Sequence, residues 1–477
     1  MAARKSGLRD SSSASLQESE PMERDLSGCM PVRPRARGRG LTRTPRRRAG
    51  MTVILICFVV GLSGPFPIAE AAHAGSTLIR AGRLVDVESG DVGTEVEILV
   101  EGDRIREVGR DLKVPPGATV IDLSGWTVLP GLIDSHAHIC LTPDYEERSP
   151  VLYKTHAYRT LEALEGARRN LMAGFTTIRD LDNEGADMAD IAVRDAIRAG
   201  LFAGPRLFVS GWAISITGGH MNLTGLRPSV DRRLDQLAIL ADSPEAMVRA
   251  IRDQKKSGVD LIKIYATGPT GQIDRETLEP LTQLSEEEVR LMVREAARWG
   301  MDVAAHAYGG QGAYNAVAGG AKSIEHGMML DDRTLDLMAK KGTFWSPTMT
   351  VYLPGDDDEP EDAEFYGRIA DRHRETFRKA MKKGVKIAFG TDAGSIPHGD
   401  GWRELKRMAD YGMPPMEVLR SATLTGAELL GKTDELGRIA PGYLADIIAV
   451  TGMPDRDIET LREVGFVMAN GEVVKHE

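Results

Sequence analysis

The stretch GLIDSHAHI, residues 131–139, is an apolar run that ends in two histidines, His136 and His138. The run predicts a buried strand, and on a strand the side chains at positions i and i+2 point to the same face. Both imidazoles therefore face the same way. This arrangement fits either a hydrogen-bonded pair at a strand end or two ligands of one metal ion, and the rest of the chain has to distinguish the two.

Seven further strand-like runs follow, and amphipathic helical stretches separate them. They are GFTTIRDL (174–181), PRLFVSG (205–211), VDLIKIYATG (259–268), MDVAAHAYG (301–309), AKSIEHG (321–327), GTFWSPTMT (342–350) and VKIAFGTDAG (385–394). Eight strands that alternate with helices over about 260 residues are what a (β/α)8 TIM barrel requires. A doubly wound sheet is the alternative, but it usually has fewer strands and a glycine-rich loop after the first. We predict the barrel over residues 130–425.

Segments with strand and turn patterns flank the barrel at both ends. Residues 77–110 alternate apolar and polar positions, and Asn470-Gly471 is a strong hairpin signal between two strand-like runs. We expect residues 75–129 and 426–477 to pair into one small β-sandwich domain built from both termini.

The N-terminal part of the chain has a different composition. Residues 1–50 are rich in Ser, Pro and Arg without periodicity, which predicts a disordered extension. In residues 51–74 a short apolar run follows basic residues and precedes small residues, as in a secretory signal peptide. We expect an exported protein, periplasmic or secreted, without stable membrane insertion after cleavage. The alternatives are an uncleaved anchor and a translation start at Met51.

The charge of the chain limits its partners. The 477 residues carry a formal net charge of −10, and residues 1–50 contribute +7, so the remainder is near −17. An acidic body argues against nucleic acid, because phosphate binding needs a basic face. Of the three cysteines only Cys140 would remain after signal cleavage, so no internal disulfide is expected.

Polar residues end several of the predicted strands, where barrel enzymes place their catalytic groups. Besides the two histidines these are Arg179, Asp180, Ser210, Lys263, His306, His326, Ser346 and Asp392. A lysine inside an apolar strand must be paired, neutralised or modified, because burying its charge alone is costly. Imidazole and carboxylate groups are ligands of zinc, so their convergence at one barrel end favours a metal site.

Five motifs in order, GLIDSHAHI, LIKI, AAHAYG, SIEHG and GTDAG, together with the terminal GRIAPGYLADIIAV, closely resemble the metal-dependent amidohydrolase superfamily. The resemblance covers residues 77–475 and is strongest to the imidazolonepropionase-like branch, which includes Xaa-Pro dipeptidases and ochratoxin-hydrolysing amidohydrolases. It implies two divalent ions, of which zinc is the expected metal. The implied ligands are His136, His138 and Asp392 for the first ion, His306 and His326 for the second, and a CO2-derived carbamate on Lys263 as the bridge.

The resemblance also implies an activity: hydrolysis of an amide or peptide bond next to a free carboxylate by a metal-bridging hydroxide. Substrates of this kind are dipeptides and N-acyl amino acids, with ochratoxin A as a candidate. Asp392 would transfer the proton to the leaving amine. His220 and Tyr265 are candidates for polarising the carbonyl or holding the substrate, and His398 for a further substrate contact.

Other functions remain open. A lactonase, an arylesterase or a cyclic-amide hydrolase would use the same site, whereas a non-catalytic scaffold is disfavoured because all six ligand positions are present. Residues 354–365 form an acidic insertion, expected as a solvated loop, with a lid for cationic substrates as the alternative. The resemblance suggests a homo-oligomer, with an octamer as one form.

Overall fold

The computed structural model describes residues 75–143, 154–222, 237–355 and 358–477. The predicted disordered extension, residues 1–50, and the predicted signal peptide, residues 51–74, lie outside the described residues. Within the described part of the chain, no helix has both the length and the apolar character needed to cross a membrane.

The helices and strands follow one another as the sequence pattern indicates. The strands are β1 (Ser76–Val85), β2 (Val92–Glu101), β3 (Arg104–Gly109), β4 (Thr119–Pro130), β5 (Leu132–Ala137), β6 (Phe175–Asp180), β7 (Arg206–Val209), β8 (Ile214–Ser215), β9 (Ile239–Leu240), β10 (Ile262–Tyr265), β11 (Val303–Gly309), β12 (Ser323–Met329), β13 (Phe344–Ser346), β14 (Lys386–Ile387), β15 (Ile447–Val450), β16 (Phe466–Ala469) and β17 (Glu472–His476). The α-helices are α1 (His156–Met172), α2 (Ala189–Arg198), α3 (Pro244–Ser257), α4 (Glu286–Ala297), α5 (Gly310–Gly319), α6 (Asp332–Lys341), α7 (Pro360–Lys383), α8 (Trp402–Asp410), α9 (Pro415–Ser421) and α10 (Leu424–Leu429).

Strands from both ends of the chain form one seven-stranded sheet in the order β17-β16-β15-β4-β1-β2-β3. The strands of the N-terminal segment and those of the C-terminal segment meet where β4 pairs antiparallel with β15. This sheet has its own apolar core, which includes the fully buried Ile98, Leu123 and Phe466. The expected association of the two terminal segments is therefore made by β4 and β15.

The eight predicted barrel strands correspond to β5, β6, β7 and β10 to β14, and neighbouring strands pair parallel. Regular pairing gives a three-stranded ladder, β5-β6-β7, and a seven-stranded ladder, β14-β13-β12-β11-β10-β8-β9. Backbone hydrogen bonds connect the two ladders. Asp260 N donates to Val209 O (2.8 Å) on one side, and Ser135 N donates to Phe389 O (2.9 Å) and His138 N to Ala393 O (2.8 Å) on the other. The strands follow one another in chain order, as in a TIM barrel; a doubly wound sheet reverses its order at a switch point.

Helix ends are defined by local sequence signals. In α3, Ser243 is the N-cap and accepts a hydrogen bond from Ala246 N, Pro244 occupies the first turn, and Gly258 ends the helix in a left-handed conformation (φ 92°). In α4, Ser285 and Glu288 form a reciprocal capping box. These stops let each chain segment turn back into the next barrel strand.

The acidic insertion at residues 354–365 is not a loop throughout, so that expectation is wrong for its second half. Helix α7 begins at Pro360, with Glu361 and Asp362 in its first turn. A proline at the first helical position and acidic residues near the N-terminus both favour helix initiation. Phe365 and Ile369, four residues apart, anchor the helix in a buried apolar cluster.

Candidate metal centre

The carboxyl ends of the barrel strands surround a cavity of about 480 Å³. Seven of the predicted site residues line it: His138, His220, Lys263, Tyr265, His306, His326 and Asp392. His136 lies behind this lining and is completely buried. The structure therefore gathers all six predicted ligand residues, together with His220 and Tyr265, at one end of the barrel.

His136, His138 and Asp392 form a tight group whose ligand atoms all lie within 4.8 Å of one another. The two Nε2 atoms are 3.2 Å apart. Oδ1 of Asp392 lies 3.1 Å from Nε2 of His138 and 3.6 Å from Nε2 of His136. We tested whether this geometry fits a cation.

Carboxylates lie behind both rings. Nδ1 of His136 lies 2.9 Å from Glu325 Oε2, and Nδ1 of His138 lies 3.2 Å from Glu184 Oε1. A carboxylate accepts, so Nδ1 of His136 carries the hydrogen and its Nε2 presents a lone pair. Nδ1 of His138 makes no hydrogen bond with Glu184. The two Nε2 atoms and the Asp392 oxygen lie close enough to need positive charge among them, either a proton on His138 or a metal ion. Two nitrogens bound to a tetrahedral zinc are about 3.3 Å apart, which agrees with the observed spacing.

The pKa values at this group report the same excess of negative charge. Burial lowers the pKa of His138, but the hydrogen bond with Asp392 and the charges of Glu184 and Asp392 raise it to about 9. Burial raises the pKa of Asp392, but the hydrogen bond from His138 and the charges of His136, His138 and Lys263 hold it at about 2. The group therefore retains a proton that a divalent ion would displace.

His306 and His326 lie next to this group, with ring centroids 4.7 Å apart. Burial lowers the pKa of both well below the usual value, and the charges of neighbouring residues, Lys263 among them, add to the effect. Both rings are therefore neutral, as metal ligands must be. Nδ1 of His326 is engaged by Thr348 Oγ1 at 2.8 Å and by Tyr352 OH at 3.1 Å, which leaves Nε2 for a metal.

Lys263 stands in β10 with only 1% of its surface exposed. Burial lowers its pKa, although the charges of Glu325, Asp392 and Asp182 oppose that effect. A lowered pKa increases the fraction of the amine that is neutral and nucleophilic, which is the form that a chemical modification of this lysine would need.

His220 and Tyr265 face each other in the cavity, with ring centroids 4.3 Å apart. His220 is 4.3 Å from the ring of His306 as well, and the hydroxyl of Tyr265 donates to Asp182 Oδ2 at 2.6 Å. These two predicted residues are thus brought to the ligand group.

His398 lies outside the cavity lining. Its Nε2 is 2.9 Å from Leu141 O, and its Nδ1 is 3.2 Å from Asn170 Nδ2. Both ring nitrogens are engaged in holding the segment after β5 against α1. The structure therefore does not bring His398 to the other predicted substrate contacts.

Sequence reasoning missed the residues that support the ligands. Glu325, fully buried in β12, binds His136 through one oxygen and accepts from Arg179 Nη2 at 2.9 Å through the other. The missed signal was present, because an acidic residue inside an apolar strand needs a buried partner, as Lys263 does.

Left-handed backbone conformations concentrate around the cavity. Non-glycine residues with positive φ angles in or next to the cavity include Glu184 (53°), Met221 (61°), His326 (69°), Thr348 (48°) and Asp392 (59°). Such conformations are costly and cluster at functional sites, where the surrounding structure enforces them. They turn the strand ends so that the side chains converge.

Comparisons with known proteins identify the family of the chain. A family model described as the amidohydrolase family matches residues 127–474. Ochratoxinase from Aspergillus niger is 30% identical over 439 residues, which are 86% of this chain and 89% of that protein. Imidazolonepropionase from Streptomyces griseus subsp. griseus is 25% identical over 369 residues, 74% of this chain and 85% of that protein.

Solved structures show the same likeness. A crystal structure of a Xaa-Pro dipeptidase with methionine bound in the active site is 36% identical, with a TM-score of 0.76, covering 84% of this chain and 100% of that one. The crystal structure of A. niger ochratoxinase is 27% identical, with a TM-score of 0.74, covering 84% of this chain and 96% of that one. These barrel enzymes and the matched family model lead to one conclusion: the chain belongs to the amidohydrolase family and is a hydrolase that acts on C–N bonds.

Proposed function

We propose that the protein is a binuclear metal-dependent hydrolase that cleaves an amide or peptide bond next to a free carboxylate. The observation that carries the proposal is the group of His136, His138 and Asp392, which places two ring nitrogens and a carboxylate oxygen at the spacing of ligands around one cation. The relatives support the substrate class, because their names describe an ochratoxinase and a Xaa-Pro dipeptidase, the latter with an amino acid bound in its active site.

The ligand set follows the two clusters of the site. His136, His138 and Asp392 would hold one ion, and His306 and His326 the other; we propose zinc for both. Neutral Lys263 would add to CO2 through its Nζ, release a proton, and place the resulting carbamate between the two ions. When bound, the ions supply a lowered pKa for a water molecule and polarisation of the substrate carbonyl.

The protein's own residues would orient the substrate and move the proton. Asp392, held ionised by its neighbours, accepts the proton from the attacking water and passes it to the leaving amine. His220 and Tyr265 would hold the carbonyl side of the substrate. Tyr308, Tyr352 and Tyr366 line the same cavity, whose size suits a small molecule such as a dipeptide or an N-acyl amino acid.

Metal content and a substrate panel test the proposal together. We expect about two divalent ions per chain, and hydrolysis of at least one member of a panel of Xaa-Pro and other dipeptides, N-acyl amino acids and ochratoxin A. Lys263→Ala should lose both, whereas Lys340→Ala, which removes an exposed lysine of α6, should retain both.

Two results would contradict the proposal. Wild-type protein with less than one ion per chain would exclude the binuclear site. Turnover of lactones, aryl esters or cyclic amides, with no turnover of the amide panel, would show that the site has the alternative activity.

We also propose export and self-association for this chain. N-terminal sequencing of the protein from its native cells should find a mature start near residue 75. Light scattering coupled to size-exclusion chromatography should find a homo-oligomer. An intact residue 1–74 segment or a monomer would overturn the corresponding expectation.

A further inference from the structure

The turn after β13 is held in an unusual conformation. Thr348 precedes a short 3-10 turn, Met349–Tyr352, and adopts left-handed angles of φ 48° and ψ 46°. For a β-branched residue this conformation is rare and strained. Threonine at such a position normally caps the following turn with its own hydroxyl. Here it does not, because its Oγ1 lies 2.8 Å from Nδ1 of His326.

Glu404, on α8, takes over the capping role. Its carboxylate is completely buried and accepts three hydrogen bonds from the turn. They come from Met349 N at 2.8 Å, from Thr350 N at 2.8 Å and from Thr350 Oγ1 at 2.6 Å. The N–H groups at the start of the turn are satisfied by Glu404, so the hydroxyl of Thr348 is free to reach His326.

The same turn delivers a second hydroxyl to the histidine. Tyr352, its last residue, places its OH 3.1 Å from Nδ1 of His326 and 3.4 Å from the OH of Tyr308. Both hydrogen bonds to Nδ1 thus come from one four-residue turn and the residue before it. The orientation of the His326 ring depends on where that turn is held.

We propose that Glu404 is a positioning residue for the second metal ion. By capping the turn it keeps Thr348 and Tyr352 on Nδ1 of His326, which directs Nε2 of that ring toward the ion. The inference rests on the proposed function, since it requires the second ion, and it adds a residue that lies 78 positions after His326 in the sequence.

The test compares metal binding by purified holoenzyme variants. Each variant is titrated with a zinc chelator, and the ions retained per chain are counted by mass spectrometry. Glu404→Ala and Thr348→Ala should weaken the binding of one ion about 10- to 100-fold and leave the other unchanged, as loss of a group that supports a histidine ligand does elsewhere. Thr348→Ser, which keeps the hydroxyl, should stay within about threefold of wild type.

Two controls separate positioning from general loss of stability. Ser285→Ala removes the cap of α4, away from the cavity, and should retain both ions at wild-type affinity. The double variant Glu404→Ala/Thr348→Ala should bind the second ion no more weakly than the weaker single variant, because both act through the same contact.

Each alternative outcome is informative. Wild-type affinity in a folded Glu404→Ala protein, or an equal loss in Ser285→Ala, would overturn the inference. Should Glu404→Ala not fold, equal affinities of Thr348→Ala and Thr348→Ser overturn it, and a selective loss in Thr348→Ala supports it. Wild-type protein with less than one ion would instead overturn the proposed function, and this inference with it.

Discussion

Arg179 and His136 are linked through a single buried carboxylate: Oε1 of Glu325 accepts from Arg179 Nη2 at 2.9 Å, and Oε2 lies 2.9 Å from Nδ1 of His136. The arginine also donates to Ser323 Oγ at 2.9 Å. Glu325 therefore connects Arg179 to His136 of the candidate metal site in one buried network. Loss of Arg179 leaves the buried charge of Glu325 without its partner.

Arg179→Leu should lower the free energy of unfolding by about 3 to 5 kcal/mol, because it leaves Glu325 with an uncompensated buried charge. The matched control is Arg168→Leu, which breaks an ion pair with Glu165 whose side chains are 52% and 43% exposed. That pair should contribute less than about 1 kcal/mol. Chemical denaturation of both variants checks the difference, and equal losses would contradict a structural role of the buried network.

Removal of the metal should destabilise the native protein. Because only the fold brings Nε2 of His136, Nε2 of His138 and Oδ1 of Asp392 together, a cation binds the folded state and not the unfolded one. Free ion at 100 times its Kd should add about 2.7 kcal/mol. Calorimetry after chelation and after re-addition of zinc measures the shift in Tm. A Tm that is unchanged by chelation would contradict the site. His136→Ala, which removes a ligand of only one of the two ions, should show a smaller shift in Tm than the wild type.

Glu404 gives a pH dependence with a defined sign. Burial raises the pKa of Glu404 from 4.5 to about 7, against the hydrogen bonds from Thr350 and Met349 that lower it. The folded protein then holds this proton more tightly than the unfolded chain does. The resulting stabilisation is fully present below pH 4.5 and is lost as the pH rises through 7, by up to about 3 kcal/mol.

Glu404→Gln should remove that dependence. Its free energy of unfolding relative to wild type should rise by up to about 3 kcal/mol between pH 4.5 and 7.5, because only the wild type loses stability there. Urea denaturation across this range measures it. Ser285→Ala, which removes no titrating group, should differ from wild type by the same amount at every pH. A constant difference for Glu404→Gln would refute the assignment.

Two helix-interior glycines should respond oppositely to alanine. A Cβ on Gly166 in α1 would lie 2.8 Å from the ring of His398, whereas one on Gly367 in α7 would meet nothing within 4 Å. Gly367→Ala should therefore stabilise the protein by about 0.5 to 1 kcal/mol. Gly166→Ala should destabilise it by about 1 kcal/mol, because His398 must move away from Leu141 O. Thermal unfolding measures whether each variant is more or less stable than the wild type. Stabilisation by both substitutions would show that the ring of His398 moves aside without cost.

The barrel could be predicted because its strands are apolar runs with polar ends. The convergence of the candidate ligands could be predicted because they stand at those ends. The lengths of the last two barrel strands, β13 and β14, could not be predicted from the sequence. The predicted runs at 342–350 and 385–394 contain only the short strands β13 and β14. After β14 the backbone turns to pair with β5, where Thr391 N donates to His136 O at 3.1 Å, and Asp392 becomes left-handed. That turn depends on closure of the barrel, which no local pattern encodes.

The residues that support the candidate ligands could not be predicted from spacing in the sequence either, because their contacts also depend on closure of the barrel. Glu325 is 189 residues from His136, and Glu404 is 55 residues from Met349. Only the folded barrel brings these partners together. The need for a buried partner of Glu325 could nevertheless be predicted from the sequence. A carboxylate in an apolar strand is as costly to bury unpaired as the ammonium group of Lys263.

The pairing of β4 with β15 has a consequence for how the chain is made. β4 ends at residue 130 and β15 begins at residue 447, so more than 300 residues of barrel must be synthesised before β4 meets its second neighbour. During translation one edge of the terminal sheet therefore stays open, and the last strands to leave the ribosome close it. A chain that stops short of residue 447 would carry that edge exposed, which makes it a target for quality control and a template for aggregation.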